Sequence, residues 1–298
     1  MNPQHLLTFS VVARLKSITL AAQQLNLGQP AVSGQLKLLQ TYVGEPLYER
    51  KGHQIELTAA GFGLLEYANK MDTCYSQSLE YVRSLQQVNT GVLRIGATMT
   101  IASFYLPKYL VALQTAYEGV QVYMKTLDTA ETLRHLYSLD LGFIEGDLSD
   151  FDLPSNYQVI TWQKDEIVLV IPEGHPIAAQ YSDYVPLDVF TQHQVIWREP
   201  SSGARQIIEK ALKKEKLVAS VNIEVTGVSA VKESVRAGLG IGFSSVMALK
   251  NENSGLVTRR IGDAAGLMWQ LNIIAPKASM QSRAVLAFLK LCQQPNEG

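Results

Sequence analysis

Three groups of polar residues in this sequence have the types and spacing to do chemistry. Gln29, Ser33 and Gln35 cluster where Pro30 would open a helix. Amides and hydroxyls on the first turns of a helix can hydrogen-bond base edges in a DNA major groove. Lys37, Arg50, Lys51 and His53 follow and suit phosphate oxygens, which fix register without reading sequence. The second group is Thr98 and Thr100, just past an apolar run, and the third is Ser201-Ser202-Gly203, just before another helical pattern. Hydroxyls combined with the free N–H groups and positive dipole end of a helix favour a small oxyanion or carboxylate. Each residue alone is equally well explained as a solvated side chain, an N-cap or a turn. Their meaning depends on the elements that would bring them together.

Catalysis has little support. There is no Gly-x-Ser-x-Gly, Walker or His-Glu-x-x-His sequence, and Gly238-Leu239-Gly240-Ile241-Gly242 lacks the order of a dinucleotide fingerprint. Cys74 and Cys292 lie far apart and, with five scattered histidines, make no metal spacing, so neither a metal nor a cofactor is expected. The N-terminus shows no leader pattern and no run long enough to span a membrane, so the expected location is the cytoplasm.

The 298 residues allow about two domains, and 47% apolar with 18% charged residues is an ordinary globular composition. A net charge of −1 confines any DNA contact to a local surface. Residues 1–58 carry five basic against three acidic side chains, the remainder 21 against 24. The sign is right for DNA, but the excess is small.

Apolar positions Leu6, Phe9, Val12 and Ala13 predict a first helix over Pro3–Arg14. Thr19 is a candidate N-cap for a short second helix, and Gly28 would supply a positive φ in the turn Asn26-Leu27-Gly28. Pro30 starts a third helix with Val32, Leu36, Leu39 and Val43 on one face. Two short helices joined by a tight turn form a helix-turn-helix. A small hairpin around Lys51-Gly52-His53 then reads as a wing. From Thr58 to Gln87 a proline-free helix is expected, about 45 Å long at about 1.5 Å per residue. Its seam of Gly61, Leu64, Ala68, Met71, Tyr75, Ser78, Val82 and Leu85 has heptad spacing and would pair with a partner or lie on its own domain. Beyond Gly91, strands alternate with helices, which predicts a parallel sheet covered on both faces, with ligand at the carboxyl ends of its strands.

Residues 6–61 resemble the DNA-binding region of LysR-type transcriptional regulators. The matching positions are Leu6, Phe9, Val12, Ala13, Ser17, Ala21, Ala22, Leu25, Gln29–Ser33, Gln35, Leu36, Leu39, Gly44, Leu47, Arg50, Leu57, Thr58 and Gly61. Gln40 stands where that family usually has Glu, and Gly34 where a longer side chain is common. The segments Ile95–Ile101, Asp140–Gly146, His175-Pro176, Arg198–Arg205 and Val235–Gly242 are similar to effector domains in the branch that includes regulators of sulfur and inorganic-carbon assimilation. The resemblance implies a winged helix-turn-helix (1–58), a linker and dimerisation helix (59–89), and a two-lobed α/β domain of the periplasmic-binding-protein type (90–298). Lobe I would hold 90–161 and 266–298, lobe II 162–265. It implies DNA contacts from Gln29, Pro30, Ser33, Gln35, Lys37, Arg50, Lys51 and His53. It also implies effector contacts from Thr98, Thr100, Ile101, Asp128, Thr129, Glu145, Arg198, Ser201, Ser202 and Arg205, although Arg198-Glu199 could equally be an internal ion pair. The stretch between Thr129 and Asp140 is about two residues shorter than the family's pattern, which predicts an altered cleft wall. The implied partners are promoter DNA, a small effector such as an inorganic oxyanion or small carboxylate, a homodimer or homotetramer, and RNA polymerase. A solute-binding protein or an enzyme on the same two-lobed fold is the competing class.

Overall fold

The computed structural model describes residues 1–51, 54–86, 91–146, 148, 151–251 and 255–293. The chain divides into two compact units, Met1–Gln86 and Gln87–Gly298.

The first unit runs α1 (Pro3–Leu15), α2 (Ile18–Gln24), α3 (Gln29–Val43), strands β1 (Tyr48–Lys51) and β2 (Gln54–Leu57), and α4 (Ala59–Gln86). Phe9, Val12, Ala21, Val32, Leu36, Leu39, Leu47 and Ile55 form one core, because helical spacing on α1 to α3 turns these positions inward. Three local expectations change. Ser17, not Thr19, caps α2 by accepting the Leu20 N–H. The positive φ in the turn belongs to Asn26 at 52°, while Gly28 at φ −70° is the N-cap of α3. Val43, at the frayed end of the α3 face, is 38% exposed. The β1 and β2 strands pair antiparallel with Arg50 opposite Ile55, forming the wing. Its turn residues Gly52 and His53 lie outside the described residues.

The α4 seam divides into two halves. Thr58 caps the helix by accepting the Gly61 N–H, and Gly61 packs so closely that a Cβ there would overlap the Leu47 carbonyl. Ala68 is fully buried and Leu64 and Met71 pack on the core of the same unit, so this half lies on its own domain. Tyr75 and Val82, each 51% exposed, carry the stripe onward without cover. The Leu85 side chain lies outside the described residues.

The second unit contains β3 (Gly91–Ala97), a single π-helical turn (Ile101–Tyr105), α5 (Leu106–Ala116), β4 (Val120–Thr126), α6 (Thr129–Arg134) and β5 (Leu141–Glu145). Then come β6 (Tyr157–Pro172), α7 (Pro176–Gln180), β7 (Tyr184–Val185), α8 (Val189–Gln192), β8 (Ile196–Arg198) and α9 (Gly203–Lys214). The chain closes with β9 (Ile223–Val225), α10 (Val228–Arg236), β10 (Gly242–Ser245), β11 (Leu256–Ile261), β12 (Leu267–Pro276) and α11 (Arg283–Gln293). The main sheet has the order β4-β3-β5-β12-β6-β11-β7, with β10 also on β6. It is mixed rather than parallel: β3 pairs parallel with β4 and β5, but β12 runs antiparallel to β5 and β6. The reason is that β6 and β12 are long strands carrying the chain between the lobes in opposite senses. Their register shifts between Leu271 and Asn272, skipping Trp162. The indole of Trp162 then packs against Phe143, Tyr105 and Tyr109 and donates to the Cys292 carbonyl at 2.9 Å. Among the described residues, no helix is long and apolar enough to cross a membrane.

Candidate nucleic-acid interface and ligand cleft

On α3 the buried positions Val32, Leu36 and Leu39 leave Pro30, Gly34, Lys37 and Thr41 on the opposite, exposed face, with Ser33 half-buried beside them. Gln29 and Pro30 occupy the first turn, where N–H groups lack intrahelical partners. A Cβ on Gly34 would meet nothing within 4 Å, so the face is open. Gln35 is held inward: its Oε1 accepts from Thr8 Oγ1 at 2.5 Å, which ties α3 to α1 instead of offering that oxygen to a base. Gln40 likewise accepts the Leu47 N–H at 2.9 Å, supporting the chain that leads into β1. Arg50 is exposed on the wing, and Lys51 is exposed while bridging to Glu56 at 2.5 Å. His53 lies outside the described residues.

The cleft of the second unit has an inner and an outer part. Thr98 follows β3, and its N–H donates to the Phe143 carbonyl at 3.0 Å, which brings it beside the end of β5 where Glu145 stands. Thr98, Thr100, Glu145 and Ser202 are all buried, at 4–7% exposure. Glu145 reaches from lobe I to the first residue of α9 in lobe II. A Cβ on Gly203 would lie 2.7 Å from Glu145 Oε2 and 3.4 Å from the Trp269 ring, so a side chain there would have to displace the carboxylate from its present position. Glu145 Oε1, Thr98 Oγ1 and Trp269 Nε1 are buried without a hydrogen bond of normal geometry. Burial pushes the Glu145 carboxyl up to about 7, with the nearby Thr98 and Thr100 hydroxyls and the Arg198 charge pulling it down and Asp165 adding to the rise. An external oxyanion was expected between the threonines and Ser202; the Glu145 carboxyl stands beside Thr98 and Thr100 and reaches Gly203, the residue after Ser202.

The outer part is a chamber of about 340 Å³ reached by Asp128, Thr129, Glu145, Ser201, Gln206 and Lys210. Asp128 and Glu131 form a capping box that opens α6, and Thr129 Oγ1 donates to the Glu145 carbonyl at 3.4 Å. Through Gly146, Ile207 and Lys210 the chamber adjoins a wider basin of about 950 Å³ floored by Val159, Leu187 and Met268. Gln206, Ile207 and Lys210 were absent from the sequence reading. Their signal was the helical spacing of α9, whose first two turns face the chamber.

Three expected effector residues take other places. Ile101 is fully buried in the core. Arg198 forms a two-point ion pair with Glu199, at 2.8 and 2.6 Å, and Glu199 also accepts the Gly227 N–H at 3.1 Å, so the internal-pair alternative holds. Arg205 donates to Glu209, Glu224 and the Arg198 carbonyl at 2.6–2.7 Å while lying over the Trp197 ring, which fastens α9 to β8 and β9. Among the described residues no cluster suits a metal ion.

Comparison with known proteins gives the following. Residues 3–62 match the family model of the bacterial regulatory helix-turn-helix protein, lysR family, and residues 86–295 match the LysR substrate binding domain. The HTH-type transcriptional activator CmpR of Synechocystis is 30% identical over 82% of this chain and 79% of its own. The RuBisCO operon transcriptional regulator of Allochromatium vinosum is 30% identical over 87% and 83%. Full-length CbnR solved with its target DNA superposes with a TM-score of 0.71 at 19% identity, covering 98% of this chain and 99% of that one. Full-length OxyR from Pseudomonas aeruginosa gives 0.71 at 17% identity, covering 98% and 95%. These two share the fold.

Proposed function

The chain belongs to the LysR family of bacterial transcriptional regulators, and we propose that a small anionic metabolite in the lobe cleft modulates its binding to promoter DNA. The polar stripe on α3 carries the DNA reading: Gln29, Pro30 and Ser33 address the major groove, and Lys37, Arg50, Lys51 and His53 the phosphates. In this reading residues 1–58 bind DNA, 59–89 pair two copies, and 90–298 sense the ligand. The uncovered Tyr75 and Val82 stripe supports pairing with a second copy, because two recognition helices must engage two half-sites at once.

The outer chamber favours an organic carboxylate over an inorganic oxyanion. Ser201, Gln206 and Lys210 supply donors for a carboxylate, Asp128 an acceptor for a ligand hydroxyl, and the apolar basin beside them space for carbon. A ligand that touches α6 and α9 together binds the closed lobes more tightly than the open ones, the difference on which regulation depends. The test begins with an operator selected from a random duplex pool by the purified protein. A panel of small carboxylates is then titrated against the protein–operator complex. One class should change operator affinity at least fivefold, and Gln206→Ala should abolish the response while leaving ligand-free DNA binding intact. If no sequence is enriched, the DNA reading fails; if no small molecule shifts the complex, the sensing reading fails.

A further inference from the structure

The inner cleft has the donors of an oxyanion site and no vacancy for an oxyanion. Thr98 and Thr100 stand on one side and the opening turn of the twelve-residue α9 on the other. Between them lies Glu145, 7% exposed, against a residue whose missing Cβ makes room for it. We propose that Glu145 is a built-in anionic ligand of this cleft: supplied by lobe I, it fills the oxyanion position at the first turn of α9 in lobe II and excludes free inorganic oxyanions. Given the reading of the cleft as the effector site, the effector is then confined to the outer chamber.

Two observations carry this. The space is taken: sulfate or phosphate would need the volume around Glu145 Oε2, and wherever the carboxyl is ionised two like charges at contact distance in a buried site also repel. The fit is also incomplete in the way a substitute would be. Glu145 Oε1, Thr98 Oγ1 and Trp269 Nε1 are all buried without a hydrogen-bond partner, so the carboxyl takes the space without satisfying the donors around it. Tyr105 also faces Glu145, and Asp128 and Lys210 line the adjoining chamber, while two nearby charged groups are engaged elsewhere. Arg198 on β8 is paired with Glu199, and Asp165 on β6 accepts from Ser245 and from the Glu166 N–H.

Vacating the position should turn it into a receptor. Calorimetric titration of the full chain with sulfate and with inorganic phosphate should give at least tenfold tighter binding for Glu145→Ala than for the parent. Glu145→Gln, whose amide fills the same volume, should stay at the parent level, and adding Thr98→Val to Glu145→Ala should cancel the gain. Circular dichroism melting checks that each variant is folded; should Glu145→Ala not fold, Glu145→Ser vacates the same space. The proposal is overturned if the parent binds sulfate as tightly as the vacated variant. It is equally overturned if a folded vacated variant gains nothing, or if its gain survives loss of the Thr98 hydroxyl. The sensing reading fails separately, through carboxylate titrations that leave operator affinity unchanged, and that result does not touch the sulfate gain.

Discussion

In the N-terminal unit Gln29, Pro30 and Lys37, expected to meet DNA, stand on an open helix face, whereas in the C-terminal unit many of the residues expected to meet a ligand are among its most buried side chains. The open face can change its contacts without changing the fold. In the cleft, binding chemistry and folding energy reside in the same atoms, so a substitution there acts on both. Within the N-terminal unit itself, the same contrast separates Gly34, which faces open space, from Gly61, which touches backbone.

The sharpest way to break the comparison is at Gly61. A methyl placed against the Leu47 carbonyl cannot be accommodated without moving α4, so Gly61→Ala should cost on the order of 3 kcal/mol and uncouple the N-terminal unit. Loss of DNA binding with an unchanged C-terminal melting transition is the expected result; a single unshifted transition would show that α4 yields easily. Next in size is the uncovered stripe. Tyr75→Glu with Val82→Glu should lower operator affinity by roughly a hundredfold through loss of one half-site, and sedimentation should report a smaller particle. Met71→Glu places its charge against the core of its own unit, so its effect should appear in melting, and an unaltered melting temperature with lost dimer would reverse that assignment.

A third test addresses the buried carboxyl. Because the folded chain holds the Glu145 proton up to about 7 against an ordinary 4.5, this group binds more protons folded than unfolded between those values. Its contribution to stability is therefore greatest below about 4.5 and is lost as the pH rises to about 7. Glu145→Gln removes this dependence, so the variant should gain on the parent as pH rises, by about 3 kcal/mol at most. Denaturant unfolding at pH 5 and pH 8 measures it, and an equal difference at both would mean that Glu145 does not titrate in this window. The smallest effect belongs to the open face. Ser33→Ala should reduce the ratio of operator to random-duplex affinity about fivefold, on the order of 1 kcal/mol, with melting unchanged. Arg50→Ala should weaken both duplexes alike and reduce the salt slope by about one. Equal operator preference in the Ser33 variant and the parent would remove that residue from base readout.

The contrast also governs what the sequence revealed. Helical periodicity located α1 to α3 and their exposed face because every determinant lies within a few residues, and the errors there, Ser17 for Thr19 and Asn26 for Gly28, are shifts of two residues in capping and turn chemistry. The mixed sheet was not legible, since the direction of β12 against β5 and β6 depends on pairings more than a hundred residues apart. Strand ends and a helix start marked Thr98, Thr100 and Ser202, which the structure buries on either side of Glu145 and Gly203. That Glu145 would fill the space between them was not legible, because nothing local to Glu145 reports the missing Cβ of Gly203 across the lobes.

The chain's three tryptophans, Trp162, Trp197 and Trp269, all belong to the second unit. Trp162 sits at the strand bulge, packed on Phe143, and Trp197 lies in the core of the second unit. Trp269 borders the cleft beside Gly203, its indole N–H unpaired. Tryptophan emission, excited selectively over tyrosine, therefore reports on the second unit alone. A hydrogen bond gained by the Trp269 indole shifts its emission to the red, so an anion entering the space vacated in Glu145→Ala should carry its own optical signal.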